Sequence, residues 1–158
     1  MLKLIPITDN SDYLSDVILL LLTFGGLIFS QYVNPLNVFL EGLQNGKTRT
    51  VGAFKDNQLI AFVTFYNFQK VTQKQFSCYM YGASWRGFAK EVELLFGYIF
   101  SDLKKQGCKL LRLETREYNL PMRSLAFRLG FKKVGMLHAT SCIDGKFKNS
   151  ILYEKLLQ

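Results

Sequence analysis

Ser84-Trp85-Arg86-Gly87-Phe88-Ala89, followed by Lys90, is the stretch on which the reading of this chain turns. On its N-terminal side, Gln75 to Tyr81 puts Phe76, Cys78 and Met80 on one face and Ser77, Tyr79 and Tyr81 on the other, the period of a strand. Gly82 is expected to end that strand or to mark a bulge. On its C-terminal side the period becomes helical. Phe88, Val92, Leu95, Ile99 and Leu103 share a stripe, Lys90, Glu91, Glu93 and Asp102 lie off it, and Gly107 closes the run. A strand therefore passes through this turn into the N-terminus of a long helix. The first backbone N–H groups there have no partner inside the helix and the helix dipole is positive, so the place favours an anion. Gly87 lets the backbone approach a phosphate closely, Arg86 and Lys90 add charge, and Ala89 keeps the first helical turn slim.

Outward from the turn, the N-terminal half reads as strand, helix, helix and two strands. Leu2 to Ile7 alternates, and Thr8-Asp9-Asn10-Ser11 offers turn and N-cap residues for the apolar helix that follows. Asn34 caps a second helix with Pro35 in its first turn, Leu36, Phe39, Leu40 and Leu43 at helical spacing, and Asn45-Gly46 at its end. Thr48 to Lys55 and Gln58 to Phe65 are strands joined through Asp56-Asn57, a hairpin signal. The C-terminal half reads as a strand over Lys109 to Thr115, a short helix over Pro121 to Leu129, a strand over Phe131 to Thr140, the turn Asp144-Gly145, and a strand over Ser150 to Leu157. This is a mixed α/β (α+β) order, β-α-α-β-β-β-α-β-α-β-β, with about seven strands and four helices. A crossover from Gln75 through the long helix to Lys109 makes those two strands parallel. Ligands bind where such neighbouring strand ends diverge, which directs attention to Tyr81 through Lys90 and Glu114 through Asn119. No linker or repeat divides the chain, so residues 1 to 158 are expected to form a single domain.

Composition narrows the class without naming a ligand. With 49% hydrophobic and 20% charged residues the chain is globular rather than disordered. The most apolar run, Val17 to Phe29, is preceded by Asp9, Asp12 and Asp16, interrupted by Gly25-Gly26 and closed by Gln31. It therefore reads as a buried helix and not as a membrane span or signal. Cys78, Cys108 and Cys142 are too widely spaced for a zinc knuckle or redox pair and are expected as reduced thiols of a cytoplasmic protein, the first two buried and Cys142 more exposed. No metal-ligand cluster is visible. The net charge of +8 suits an anionic partner, whether a coenzyme with several phosphates or a nucleic acid. Lys132-Lys133 and Lys146 to Lys148 read as solvated surface in preference to a recognition patch.

In this order of elements, Ser84 to Ala89 resembles the Gln/Arg-x-x-Gly-x-Gly/Ala motif of the Gcn5-related N-acetyltransferases (GNAT). Gly87 and Ala89 match, and Ser84 stands where the motif has a long polar residue. Downstream, Asn119, Pro121, Arg123 and Ser124 lead into Leu129-Gly130-Phe131, then Gly135, Asp144-Gly145 and Tyr153. This is similar to the branch that includes ribosomal-protein N-terminal acetyltransferases. The resemblance implies a twisted, mostly antiparallel sheet and an acyl-CoA-dependent N-acyltransferase, with acetyl-CoA as co-substrate and no metal. The acceptor it implies is an amine on a small molecule or a peptide N-terminus. It also implies that Met80, Tyr81 and Gly82 pair with the pantetheine arm and offer an N–H to the thioester oxygen, that Arg86, Gly87, Phe88, Ala89 and Lys90 hold the pyrophosphate, and that Asn119 lies beside the pantetheine.

Acyl transfer to an amine needs a deprotonated amine, donors for the developing oxyanion and a proton for the departing thiolate. Glu114, at the end of a strand flanking the site, is either the acceptor of the amine's proton or a carboxylate paired with Arg112 or Arg116. His138, the only histidine, reads as structural in preference to a base for the amine, and Asn119 is also the N-cap of the short helix. Where the resemblance places a tyrosine for the thiolate this chain has Ala126, leaving Tyr118 and Ser124 as substitutes. The other reading is a protein that kept the fold without its chemistry and engages nucleic acid or a protein partner through its basic surface.

Overall fold

The computed structural model describes residues 1–29 and 34–158, with Ile143 described in its backbone alone. Its elements follow the expected order. They are β1 (Leu2–Ile7), α1 (Leu14–Ile28), α2 (Pro35–Gln44), β2 (Arg49–Lys55), β3 (Gln58–Thr72), β4 (Gln75–Ser84), α3 (Ala89–Lys105), β5 (Cys108–Arg116), α4 (Leu120–Arg128), β6 (Lys132–Ile143) and β7 (Lys146–Leu156). The seven strands make one sheet in the order β1-β2-β3-β4-β5-β7-β6. Every pairing is antiparallel except β4 with β5, which α3 connects as the crossover requires.

The sheet is covered on both faces. On one, Val92, Leu95, Phe96, Ile99 and Leu103 of α3 and Ala126 of α4 pack on Cys78, Met80, Leu111, Leu113 and Ile151. On the other, Val17, Leu20 and Leu21 of α1 and Phe39 of α2 pack on Phe54, Phe62 and Tyr81. The alternation read in β4 is thus the division between two cores. Cys78 and Cys108 are both buried, 4.0 Å apart at sulfur, and Cys142 is half-buried, all three free.

The hairpin turns are where the sequence puts them. Asp56 and Asn57 have φ of 50° and 66°, and Asp144 and Gly145 have 50° and 72°, the left-handed pair that lets a two-residue turn match strand twist. Strand lengths differ from expectation. β3 runs on to Thr72 instead of stopping at Phe65, with register shifts between Tyr66 and Gln69, and β7 begins at Lys146 instead of Ser150. In both, the extra residues belong to hairpin ends that are mostly exposed, so their polar side chains hide the period that burial would impose.

Two details at the N-terminus are corrected. Thr8 to Ser11 form a turn of their own, Thr8 N donating to Ser11 Oγ at 3.0 Å, and α1 starts later behind Tyr13 with no side-chain cap. Gly25 and Gly26 do not interrupt α1. A Cβ on Gly25 would stand 3.0 Å from Pro35 Cγ, so this glycine serves the close approach of α1 and α2. The closure expected at Gln31 lies outside the described residues. No helix among the described residues is long and apolar enough to cross a membrane.

Candidate functional site

Strands β4 and β5 pair from Phe76 with Cys108 to Met80 with Leu113 and then part. β4 stays bonded to β3 as far as Ser84 with Ala61, while β5 stays bonded to β7 as far as Arg116 with Ser150. Gly82 shows why they part there. A Cβ at this position would lie 2.3 Å from the Phe62 carbonyl oxygen, so β4 hugs β3 more closely than a side chain allows and is drawn away from β5. The strand does not end or bulge at Gly82; it continues in register to Ser84.

The divergence leaves free backbone groups. Trp85 N donates to Ile60 O at 2.9 Å, and Ala83 and Tyr81 stand opposite Phe62 and Thr64. Since polar groups alternate sides along a strand, those of Tyr81, Ala83 and Trp85 turn to β3, and those of Gly82 and Ser84 turn to the gap. Met80 is already matched with Leu113 and its side chain is buried, so the strand edge left free belongs to Gly82 and Ser84.

A cavity of about 480 Å³ occupies the gap. Gly82, Ala83, Ser84, Trp85, Arg86, Gly87 and Ala89 line it from β4 and the start of α3, and Leu113, Glu114 and Thr115 from β5. Asn119, Met122, Ser124, Leu125 and Arg128 close it from α4, and Phe24, Leu27 and Ile28 from α1. At its mouth Gly87 adopts φ 93° with open space where a side chain would be. The first bonded amide of α3 is Val92 N, to Phe88 O at 2.9 Å, so the N–H groups of Gly87, Phe88, Ala89 and Lys90 have no partner among the described residues. The acidic residue of this turn is neutralised: Lys55 bonds Glu91 at 2.7 Å and holds its carboxyl below the usual range. Lys55 also lies over the Phe88 ring, 5.7 Å from its centre. The result is an anion cradle leading into a mixed polar and apolar cleft with free strand edges.

No family model matches this sequence, and no curated protein matches it. Solved structures do match in shape. An N-acetyltransferase from Staphylococcus aureus superposes with a TM-score of 0.75 at 13% identity, over 99% of this chain and 98% of the other. An acetyltransferase of the GNAT family from Streptococcus pneumoniae gives 0.71 at 17%, over 99% of both chains. NAA60 of Arabidopsis thaliana in complex with acetyl-CoA gives 0.72 at 18%, over 99% and 98%. The fold is that of the GNAT acetyltransferases. At these identities the likeness is to the superfamily's fold, without preference for the ribosomal-protein branch.

Within this GNAT fold, the cleft collects Tyr81, Arg86, Gly87, Ala89, Glu114, Asn119 and Ser124 from the expected site residues. Four others lie elsewhere. Met80 is in the core, Phe88 packs against that core, Lys90 is exposed beside the cradle, and Tyr118 lines a separate open pocket of about 410 Å³ with Asp144, Lys146 and Lys148. His138 is exposed on β6. Asn119 is the N-cap, its Oδ1 accepting from Met122 N at 3.2 Å, and it also faces the cavity. Both roles can be separated. Asn119→Ala is expected to cost about 1 kcal/mol in chemical denaturation, whereas Asn119→Ser retains a capping hydroxyl and most of that stability while removing the amide from the cleft.

Glu114 is only loosely paired, its Oε1 standing 4.0 Å from Arg116 Nη1, because Arg112 is taken by Glu154 at 2.9 Å. It shares its face of the sheet with a tyrosine cluster in which the Tyr66 ring lies 5.6 Å from Tyr79 and 5.5 Å from Tyr81. Burial raises the Tyr66 and Tyr81 hydroxyls from 10.0 to about 12, with the Glu114 charge adding to the Tyr66 shift. Their protonated forms are favoured by folding, so the stability they supply is complete below pH 10 and lost as pH climbs through 12. Melting temperatures should fall over that window as tyrosinate absorbance rises.

Sequence reasoning missed Arg128. It bonds Glu93 of α3 and gives Ser124 Oγ a hydrogen bond of 2.6 Å, so it bridges the two helices at the rim of the cavity. Its spacing of one turn from Ser124 was the available signal. The apolar wall from α1 carried none, since Phe24, Leu27 and Ile28 have the pattern of any core helix.

Proposed function

We propose that residues 1–158 form a single N-acyltransferase domain that passes an acetyl group from acetyl-CoA to an amine. The observation that carries this is the junction of an unpaired anion cradle, Gly87 to Lys90, with the gap that opens between β4 and β5 after Met80 and Leu113. A pyrophosphate suits the first and an extended, amide-containing pantetheine arm suits the second, bonding the free edges of Gly82 and Ser84 as an added strand would. Arg86 supplies charge at the rim.

The amine, relieved of its proton by Glu114 directly or through water, attacks the thioester carbonyl. The carbonyl oxygen takes up charge facing the Gly82 N–H, and the C–S bond breaks as the amide forms. Ser124 is better placed than Tyr118 to relay a proton to the thiolate, since it stands in the cleft with its hydroxyl accepting from Arg128, and the proton it gives is replaced by the one the attacking nitrogen sheds as the amide forms. A thiol with pKa near ~8.5 makes modest demands on that donor. The acceptor is a small-molecule amine or a peptide N-terminus reaching Glu114 from the tyrosine-lined face.

Titration calorimetry with acetyl-CoA and coenzyme A tests the reading, joined to thiol release with a panel of amines. Micromolar binding is expected, weakened about tenfold by Arg86→Ala, which removes one charge-assisted contact. A folded sample that binds neither compound overturns it.

A further inference from the structure

We propose that the acceptor amine bears an anionic group close by, a carboxylate in the first place, and that Arg116 receives it. The amine half rests on the acyltransferase reading; the anion half rests on Arg116 alone. Arg116 is two residues beyond Glu114 on β5, hence on the same face of the sheet, and is only 5% exposed. Its Nη1 donates to Ser150 Oγ at 2.8 Å and Thr140 Oγ1 at 3.1 Å, two neutral hydroxyls. The nearest carboxylate oxygen, on Glu114, is 4.0 Å away, outside hydrogen-bond reach. Nε and Nη2 have no hydrogen-bond partner among the described residues.

A buried guanidinium whose one neighbouring carboxylate stands at 4.0 Å is incompletely compensated, whereas this chain gives Arg112, half-buried on the same strand, a full partner in Glu154. Arg116 is also held in place. Thr140 Oγ1 and Ser150 Oγ are 2.8 Å apart, and the irregular β6 segment carrying Thr140, with Ala139 at φ 54°, is tied down by Ala139 N to Asn149 Oδ1 at 3.2 Å. Asn149 in turn donates twice to the Glu117 carboxylate and accepts from Glu117 N. A rigid cation with unspent donors next to a carboxylate that lines the cleft matches a zwitterion laid crosswise. The ammonium goes to Glu114 in the cleft, and the anion goes past it to the Arg116 fork, which adjoins Glu114 without itself lining the cavity. An α-amino acid, with its two charges one carbon apart, has that shape.

The test compares phenylalanine, leucine and lysine, each as free acid, carboxamide, aminophosphonate analogue and decarboxylated amine. Two readouts are used: thiol release from acetyl-CoA, and the shift in melting temperature on addition of each compound without acetyl-CoA. The free acids should exceed the carboxamides and amines in kcat/KM by about tenfold or more, chiefly through KM, and should raise the melting temperature where amides and amines do not, with the phosphonates between in both readouts. Arg116→Met should erase the preference and Arg116→Lys narrow it, with acetyl-CoA affinity as in the wild type. Amides or amines that match the acids overturn the proposal. If neither variant folds, the wild-type comparison decides by itself. If the wild type binds no acetyl-CoA, the acyltransferase reading falls, and the melting shifts still test Arg116: no acid-dependent shift means no anion site.

Discussion

Gly87→Glu should reduce acetyl-CoA affinity about a hundredfold or more. Two effects separate in this variant. Gly87 has φ 93°, so any side chain pays the strain of the left-handed region, roughly 1–2 kcal/mol, against the native state. Nothing stands within 4 Å of the added Cβ, so packing contributes little. The carboxylate, however, would enter the space in front of the free N–H groups of Gly87 to Lys90, where the proposed pyrophosphate would sit, and like charges at such a junction cost several kcal/mol. Gly87→Ala carries the same backbone strain without the charge. Calorimetry on both, with melts to measure the shared strain, isolates the electrostatic part. Affinities for the two variants within a few-fold of each other would show that the cradle does not hold phosphate.

Gly82→Val should lose about 3 kcal/mol of stability or more, and with it the cleft. The Cβ would meet the Phe62 carbonyl oxygen at 2.3 Å and Val63 Cα at 3.1 Å, both backbone atoms of a strand buried on each side by the two cores. β3 cannot retreat without disturbing its pairing with β2, so β4 must move toward β5 and narrow the gap. Denaturant midpoints read the first effect, and acetyl-CoA titration well below the melting temperature reads the second. Gly97→Ala is the contrasting control. Gly97 is exposed on α3 with nothing within 4 Å of an added Cβ, and relief of glycine's flexibility in a helix interior should stabilise by about 0.5–1 kcal/mol. A Gly82→Val protein as stable as the wild type would mean that β4 does not depend on this close approach.

Both glycines were visible in the sequence, and they were legible to different degrees for a physical reason. Gly87 sits in a turn between two periodic segments, where strand-to-helix geometry alone predicts unpaired amides and an anion. Gly82 sits inside a strand, where a glycine signals a close approach without saying to what. Its partner, Phe62, is in another strand and is set by register. The same distinction runs through the site. Asn119 as a cap and Asp144-Gly145 as a turn are local matters and stand as read. Met80 was expected at the free edge, but the last residue that β5 matches depends on where two strands distant in sequence part company. Arg128 went unnoticed in the sequence, and Arg116 figured there only as a possible partner of Glu114. What gives each its meaning is a partner from another element, Glu93 for the first and Thr140 with Ser150 for the second.

The sequence by itself determined the element order, the parallel crossover through α3, the two hairpin turns and the turn that opens the long helix. All of these follow from periodicity, capping and backbone freedom within short segments. The tertiary structure alone decided the rest: that β4 and β5 diverge after Met80 and Leu113, that the free edge belongs to Gly82 and Ser84, and that Glu114 is left loosely paired beside a buried Arg116. These are outcomes of register and of competition among charges brought together from different strands, and no local pattern encodes which carboxylate a given arginine will find.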